Sequence, residues 1–323
     1  MDDTQVLATA ATWLVEGDRV VLAVVTSAWG SAPRGVGAYM AIREDGLFAG
    51  SVSGGCIEAG VVAQAEEMAE DEQVRPLDFG ITDEEAWFAS LPCGGNISVA
   101  LFRPRLDLLT RLGELHAARE PAALTLDLHS GEQALATAAT ADEAVRQRLT
   151  RGTSGMAGEH LFVRVHDPDL RLVVIGAVHV SQALCALARV LGFEVVVVDP
   201  RRSFATPERF PGVILAARQP EAALDDIRLD ARTAVICLAH VPHIDDAALI
   251  RGLESPAFYV GALGSRKTHA RRVQRLGGLG VSPEALARIH SPIGLDIGSA
   301  TPAEIALSVL AEVVAERRGP KPT

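Results

Sequence analysis

Cysteine is scarce in this chain and lysine is nearly absent. The 323 residues include four widely separated cysteines without a C-x-x-C pair, and only Lys267 and Lys321 are lysines. This cysteine usage fits neither a disulfide framework nor a structural zinc site, so we expect reduced thiols. The net charge is −11, and no basic face of the kind that nucleic acid requires is evident. We therefore expect no nucleic-acid partner.

Long hydrophobic runs are also missing. The N-terminal residues Met1 to Asp3 lack the positive flank and apolar stretch of a secretory signal, and no run approaches the length of a membrane span. We therefore expect a cytoplasmic protein without a membrane partner. Hydrophobic residues make up 48% and charged residues 22%, which is typical of globular proteins. The length exceeds that of a comfortable single core, so two domains are expected.

The stretch from Ser51 to Glu58 places a thiol beside two glycines. Apolar spacing predicts a helix from Ile57 to Met68, so Cys56 would lie near its first turn. Unpaired amides and the helix dipole favour an anion there, either the thiolate itself or a bound phosphate. Gly54 and Gly55 lack the Cβ atoms that would hold a ligand away from the backbone. This stretch is therefore a candidate binding corner.

A second segment, Pro92 to Asn96, repeats the combination of one cysteine and two glycines before a predicted strand. We expect the two corners to line a common pocket. The small-residue loop from Thr26 to Gly37 contains one Trp and one Arg, and it could form either a pocket rim or a tight connection. The acidic stretch between Glu66 and Glu85 is interpreted as a solvated helix end and loop.

Periodicity and turn residues predict three parts of the chain: an N-terminal α+β domain over 1–104, an intervening α+β segment over 105–169, and a C-terminal domain over 170–323. Asp45-Gly46 predicts a hairpin between Ala38 to Arg43 and Leu47 to Gly50. In the C-terminal part, strands alternate with helices. This alternation predicts a Rossmann-like, doubly wound parallel sheet, so the overall class is α/β.

The first strand of the C-terminal part runs into Gly176-Ala-Val-His179, and Asp199 ends the next strand. This is the layout of a dinucleotide-binding unit. However, Val178 occupies the position where a second glycine would let the backbone approach a pyrophosphate. A valine there would crowd the phosphates of NAD(P), so we do not expect NAD(P) to bind.

A further loop, Gly261 to Thr268, follows a predicted strand and opens a helix, with amides, a hydroxyl and two cations suited to phosphate. Its cations continue into the charged pair Arg271-Arg272, so a solvated surface is an alternative. Cys185 and Cys237 are expected in the core.

With these motifs in hand, the chain resembles the XdhC/CoxI family of molybdoenzyme maturation factors. The N-terminal part carries the Ser-x-Ser-Gly-Gly-Cys-x-Glu motif from Ser51 to Glu58 and a Cys-Gly-Gly motif from Cys93 to Gly95. Two departures occur: Val178 and Pro92 stand where the family usually has glycine. The motifs of the C-terminal part are Val173 to His179, Val198 to Arg201, Phe210-Pro211, Tyr259 to Arg266, His290 to Gly298 and Thr301 to Ile305.

The resemblance implies a chaperone that binds molybdenum cofactor while a cysteine desulfurase installs its sulfido ligand. The chaperone then passes the cofactor to a xanthine dehydrogenase-type hydroxylase, without a turnover reaction of its own. A homodimer is a further possibility, and Cys56 is a candidate contact to molybdenum or sulfur. The candidate cofactor-binding residues are Ser51, Ser53, Gly54, Gly55, Cys56, Glu58, Cys93, Gly94, Gly95, Gly176, His179, Asp199, Arg201, Gly264, Ser265 and Arg266.

Two alternatives stay open at this point. One is an NAD(P)-dependent oxidoreductase that uses the Rossmann half with a thiol near the substrate. The other is an assembly scaffold that binds neither ligand.

Overall fold

The computed structural model describes residues 1–30, 34–68, 72–81 and 95–319. The chain divides into two compact units, Met1–Pro168 and Asp169–Thr323. The predicted intervening segment, 105–169, thus falls almost entirely in the first unit. The reason lies in packing, because Leu109 and Leu112 share one apolar core with Val6 from the start of the chain. Among the described residues, no helix combines the length and apolar character needed to span a bilayer.

The N-terminal unit contains two antiparallel sheets. The larger has the strand order β3-β2-β1-β5-β4, and the smaller has the order β7-β6-β9-β8. The elements of this unit are α1 (Asp3–Glu16), β1 (Val20–Gly30), β2 (Tyr39–Arg43), β3 (Phe48–Gly50), α2 (Glu58–Glu66), β4 (Val74–Ile81), β5 (Gly95–Phe102), α3 (Leu106–Ala117), β6 (Ala122–Asp127), β7 (Gln133–Thr137), α4 (Glu143–Arg151), β8 (Gly155–Met156) and β9 (Leu161–His166).

The hairpin predicted at Asp45-Gly46 is confirmed, because β2 and β3 pair antiparallel around it. Two other predictions for this unit are wrong. Strand β1 continues through the predicted start of the loop at Thr26, because it pairs with β5 as far as Gly30. Strand β4 lies inside the acidic stretch that was predicted as a loop, because it pairs along its whole length with β5.

The C-terminal unit is a parallel six-stranded sheet of order β12-β11-β10-β13-β14-β15. Separate apolar clusters cover its two faces, as expected for a doubly wound sheet, so the Rossmann-like prediction is confirmed. Its elements are β10 (Arg171–Ile175), α5 (His179–Val190), β11 (Glu194–Val198), β12 (Ile214–Ala216), α6 (Pro220–Asp226), β13 (Thr233–Cys237), α7 (Pro242–Glu254), β14 (Tyr259–Ala262), α8 (Arg266–Gly278), α9 (Pro283–Leu286), β15 (Ile289–His290) and α10 (Pro302–Arg318).

The strand order reverses between β10 and β13, which are neighbours although two strands separate them in the chain. In parallel sheets of this kind, ligands bind beyond the carboxyl ends of the strands near such a reversal. The loops that follow β10, β11, β13 and β14 all lie at this edge.

Candidate functional site

The loop between β3 and α2 turns some side chains inward and presents others to solvent. Val52 and Ser53 are buried, whereas Gly54, Gly55 and Cys56 are exposed. The helix begins at Glu58 rather than at Ile57, the predicted start. The exposed part of the loop is therefore the Gly-Gly-Cys tripeptide.

The carboxylate of Glu58 organises this loop from within. Its side chain accepts hydrogen bonds from the Ser51 hydroxyl at 2.5 Å and from the Ser53 hydroxyl at 2.6 Å. Its remaining partners are backbone amides at 2.9 to 3.2 Å, those of Val52, Ser53, Gly54, Gly55 and Ile57. Because Glu58 is only 7% exposed, these bonds replace water around the carboxylate.

Burial raises the pKa of Glu58, but the hydroxyls of Ser51 and Ser53 and the Ser53 amide outweigh burial and lower it to about 2. The ionised carboxylate is therefore the anion at this helix N-terminus. From the sequence we expected a thiolate or a bound phosphate at these amides, but in the structure the amides donate to the Glu58 carboxylate instead. The signal in the sequence for this role of Glu58 was an acidic residue two positions after the Ser-x-Ser-Gly-Gly-Cys run. Cofactor binding by the residues from Ser51 to Glu58 stays a prediction.

Cys56 is a free, exposed thiol at the end of this ordered loop. Its amide donates to the Ser53 hydroxyl at 3.0 Å, which fixes the backbone that carries the sulfur. Gly55 has φ +126°, and no atom lies within 4 Å of the position that a Cβ would take there. A ligand can therefore reach both the glycine backbone and the thiol.

The other two described cysteines are buried, which confirms that Cys185 and Cys237 are core residues. Burial raises the pKa of the Cys185 thiol to about 12, and burial also raises the pKa of Cys237 well above its ordinary value. A protonated, buried thiol is a poor nucleophile.

The exposure of Cys56 and the burial of Cys185 and Cys237 predict which thiols a reagent can modify. In the native protein at pH 8, iodoacetamide is expected to modify Cys56 while leaving Cys185 and Cys237 unmodified. Peptide mass spectrometry with and without denaturant measures this, and the denatured sample serves as the control in which the peptides of Cys56, Cys185 and Cys237 are all modified. Equal labelling of Cys56 and Cys185 in the native protein would contradict the burial described here.

Arg34 anchors the start of the loop from Ser51 to Ile57 that carries Cys56, called the thiol loop below. Its Nε donates to the Ser51 carbonyl at 3.0 Å, and its Nη2 lies 2.8 Å from the Asp3 carboxylate. Asp3 also pairs with Arg164 at 2.9 Å. In the sequence this arginine stood out only as part of a loop, because its partners are distant in the chain. Arg34 therefore connects the loop to the first helix.

The second cysteine corner cannot be placed in the same way, because Cys93 and Gly94 lie outside the described residues. Gly95 is the first residue of β5, where it pairs with Gly30 on β1 and Ile81 on β4. A common pocket for the two corners stays a prediction. No group of three or more His, Cys, Asp or Glu side chains that could hold a metal occurs in the described part of the chain.

In the C-terminal unit, Gly176 makes the turn after β10 with φ +101°. A Cβ at this position would lie 2.6 Å from the Ala239 nitrogen, so the glycine is required by the neighbouring backbone. His179 opens α5 as an exposed side chain, with its Nδ1 3.3 Å from the Gln182 side-chain oxygen.

Asp199 is fully buried, and its carboxylate is engaged within the unit. It accepts from the Ala177 amide at 2.7 Å and from the Arg201 guanidinium at 2.8 and 2.6 Å. Burial raises the pKa of Asp199, but the bonds from Arg201 and the Ala177 amide lower it overall. The carboxylate that would bind a ribose in a dinucleotide site therefore holds an arginine and the glycine turn together.

The remaining candidate residues of this unit, Gly264 to Arg266, lie in the loop after β14 and at the start of α8. Gly264 has φ +144°, and Ser265 caps α8 by accepting from the Thr268 amide at 3.2 Å. Arg266 begins that helix and is exposed. The structure therefore brings the groups at Gly176, Asp199 and Gly264 to the same edge of the parallel sheet, within one unit. The thiol loop belongs to the other unit.

The fold and site define a two-unit protein, in which a unit with an exposed loop cysteine precedes a Rossmann-type unit. Residues 13–80 match the model of the XdhC and CoxI family, and residues 172–313 match the model of the XdhC Rossmann domain. The chain belongs to the XdhC and CoxI family, so the resemblance stated from its motifs is confirmed.

Three similar proteins place the chain more closely. It is 33% identical over 322 residues to the molybdenum cofactor insertion chaperone PaoD of Escherichia coli (strain K12), covering 98% of this chain and 89% of PaoD. It is 27% identical to a probable xanthine dehydrogenase subunit of Bacillus subtilis (strain 168), covering 94% of this chain and 95% of that protein. A crystal structure described as a xanthine dehydrogenase from Bacillus halodurans matches with TM-score 0.76 and 26% identity, covering 98% of this chain and 96% of that one.

Proposed function

We propose that this protein is a molybdenum cofactor insertion chaperone. It binds the cofactor, holds it while a cysteine desulfurase supplies the sulfido ligand, and assists its insertion into a xanthine dehydrogenase-type hydroxylase. The observation that carries the proposal is the exposed thiol of Cys56 on a loop that a buried carboxylate holds in place. The likeness to PaoD over nearly the whole chain supports it.

The chemistry of the cargo suits this loop. Molybdenum in the cofactor is held by sulfur, and soft thiolate ligands suit such centres. Cys56 is proposed to contact the metal or its sulfur ligand. Gly54 and Gly55 are exposed, and no atom lies within 4 Å of the Cβ position of Gly55, so a flat pterin ring could approach the backbone there.

The other residues of the loop act by positioning. The polar atoms of Ser51, Ser53 and Glu58 are bonded to one another and to the loop amides, which supports a role in holding Cys56 in place. Their direct contact with the cofactor stays a prediction. Contacts from Cys93, Gly94 and Gly95 stay a prediction, as does a contribution from the loops at Gly176, His179, Arg201 and Gly264 to Arg266. The engaged carboxylate of Asp199 does not favour the oxidoreductase alternative.

Replacing Cys56 by Ser is expected to weaken cofactor retention about tenfold, because a hydroxyl is a poor substitute for a soft ligand. Protein incubated with cofactor is desalted, and bound pterin fluorescence and molybdenum are measured. Activation of an apo-hydroxylase is measured on the same samples. The matched control is Cys185→Ala, which removes a buried thiol from the other unit and should leave retention unchanged.

The possible outcomes test the role of Cys56 and the proposed function separately. If Cys56→Ser retains and transfers the cofactor like the unmodified protein, Cys56 is not a contact but the proposed function stands. If the unmodified protein neither retains cofactor nor activates the apo-hydroxylase, the proposed function is wrong. Binding of NAD(P)H with hydride transfer would then favour the oxidoreductase.

A further inference from the structure

A polar pocket opens at the carboxyl edge of the C-terminal sheet, and it includes Thr268, the last residue of the loop that the sequence predicted to suit phosphate. Its volume is about 210 Å³. It lies between α8 and the start of α7 with the loop before it. It is lined by Pro242 and by the polar side chains of His240, Asp245, Thr268, Arg271, Arg272 and Arg275.

Arg272 is the central feature of this pocket, because it is a cation that is only 4% exposed. Its guanidinium donates to the Leu263 carbonyl at 2.9 Å and lies 3.3 Å from the Ser291 hydroxyl, and both partners are uncharged. Its buried Nε has no hydrogen-bond partner among the described residues. Among the described residues no carboxylate lies within salt-bridge distance of Arg272, and a buried cation without such a contact is costly, so an anion in the pocket would stabilise it.

The residues around Arg272 are also suited to an anion. Arg271 is exposed and lines the pocket one residue away, and the hydroxyl of Thr268 lies one turn earlier on the same helix. Arg275 is paired with Asp246, so its charge is already compensated. Asp245 is the carboxyl group among the lining residues. Burial raises its pKa to about 6, whereas the nearby charge of Arg272 lowers it, so at neutral pH Asp245 still carries most of its negative charge and offsets part of the Arg272 charge.

We propose that this pocket binds the phosphate group of a phosphorylated small molecule. The planar forks of two arginines match the oxygens of a phosphate, and the threonine hydroxyl adds a further donor. Whole-ligand pockets usually enclose roughly 300 to 1,000 Å³, so this one has room for a phosphate and a few more atoms. The rest of such a ligand would lie along the open sheet edge. The proposal does not depend on the cofactor-binding role of Cys56.

The test is calorimetric titration of the full chain with inorganic phosphate and with ribose 5-phosphate, and ribose serves as the uncharged arm. Both phosphates are expected to bind and to compete with each other, while ribose does not bind. Arg271→Ala and Arg272→Lys should each weaken binding about tenfold, because each removes a charge-assisted or forked contact. Arg251→Ala, which removes an exposed arginine outside the pocket, should leave binding unchanged.

Because Arg272 is buried, folding of its variant is checked by circular dichroism, and Arg271→Ala and Thr268→Val carry the test if Arg272→Lys fails to fold. Absence of binding by both phosphates would overturn the proposal. Equal weakening in Arg251→Ala would also overturn it, because it would show nonspecific charge attraction. Binding of inorganic phosphate without ribose 5-phosphate would restrict the pocket to free anions and would overturn the assignment to a phosphorylated molecule.

Discussion

Replacing Glu58 by Gln is expected to destabilise the N-terminal unit by about 3 kcal/mol. The glutamine has the same shape, but it is neutral and it turns one acceptor into a donor that faces amide hydrogens. Several donors of the thiol loop would then be left without partners in a site that is 7% exposed. Urea denaturation followed by tryptophan fluorescence measures the loss, since all three tryptophans lie within residues 1–168.

The same carboxylate predicts how acid affects the unmodified protein. Its pKa is lowered from 4.5 to about 2 in the folded state, so the unfolded state binds the proton more tightly. The stabilisation is therefore fully present above about pH 4.5 and is lost as the pH falls towards 2. Between these values, the free energy of unfolding should fall by about 3 kcal/mol more in the unmodified protein than in Glu58→Gln.

Glu143→Gln is the matched control, because Glu143 is also an acidic residue at the first position of a helix in this unit. Its exposed carboxylate lies 3.4 Å from the Arg146 guanidinium, and solvent weakens this ion pair. Its replacement should therefore lower the free energy of unfolding by less than about 0.5 kcal/mol. If Glu58→Gln and Glu143→Gln have equal effects, the carboxylate does not organise the loop.

Local patterns were sufficient to predict several parts of this protein from its sequence. The Asp45-Gly46 turn fixes a hairpin by the backbone preferences of two residues. The short apolar run from Glu194 to Val198 predicts a buried strand. The helical patterns on both sides of it predict that this strand belongs to a parallel sheet. The position of Cys56 directly before a helix was also predictable, because the glycines, the cysteine and the helical pattern are consecutive in the sequence.

The features that could not be predicted depend on partners that are far apart in the chain. Strand β4 forms because β5 pairs with it, although the stretch around it is acidic and polar. Arg34 reaches Ser51 and Asp3, which no local pattern connects. The unpartnered Nε of Arg272 was likewise invisible in the sequence, because only the fold shows which buried donors lack a hydrogen-bond partner.

Replacing Gly176 by Ala is expected to destabilise the C-terminal unit by about 4 kcal/mol. Two costs combine. The backbone at φ +101° disfavours any residue with a Cβ, and the added atom would lie 2.6 Å from the Ala239 nitrogen and 2.7 Å from its Cα. Because the obstacle is backbone of the neighbouring loop, it cannot move aside as a flexible side chain would.

Gly280→Ala separates these two costs. Gly280 lies in the same unit with φ +93°, but no atom lies within 4 Å of its Cβ position, so the replacement should cost only about 1 kcal/mol. Far-UV circular dichroism during urea denaturation measures both variants. Equal losses would show that backbone conformation alone explains the glycine. A larger loss at Gly176 would show that the turn is required for packing against Ala239, so that its glycine would be needed even where no dinucleotide is bound.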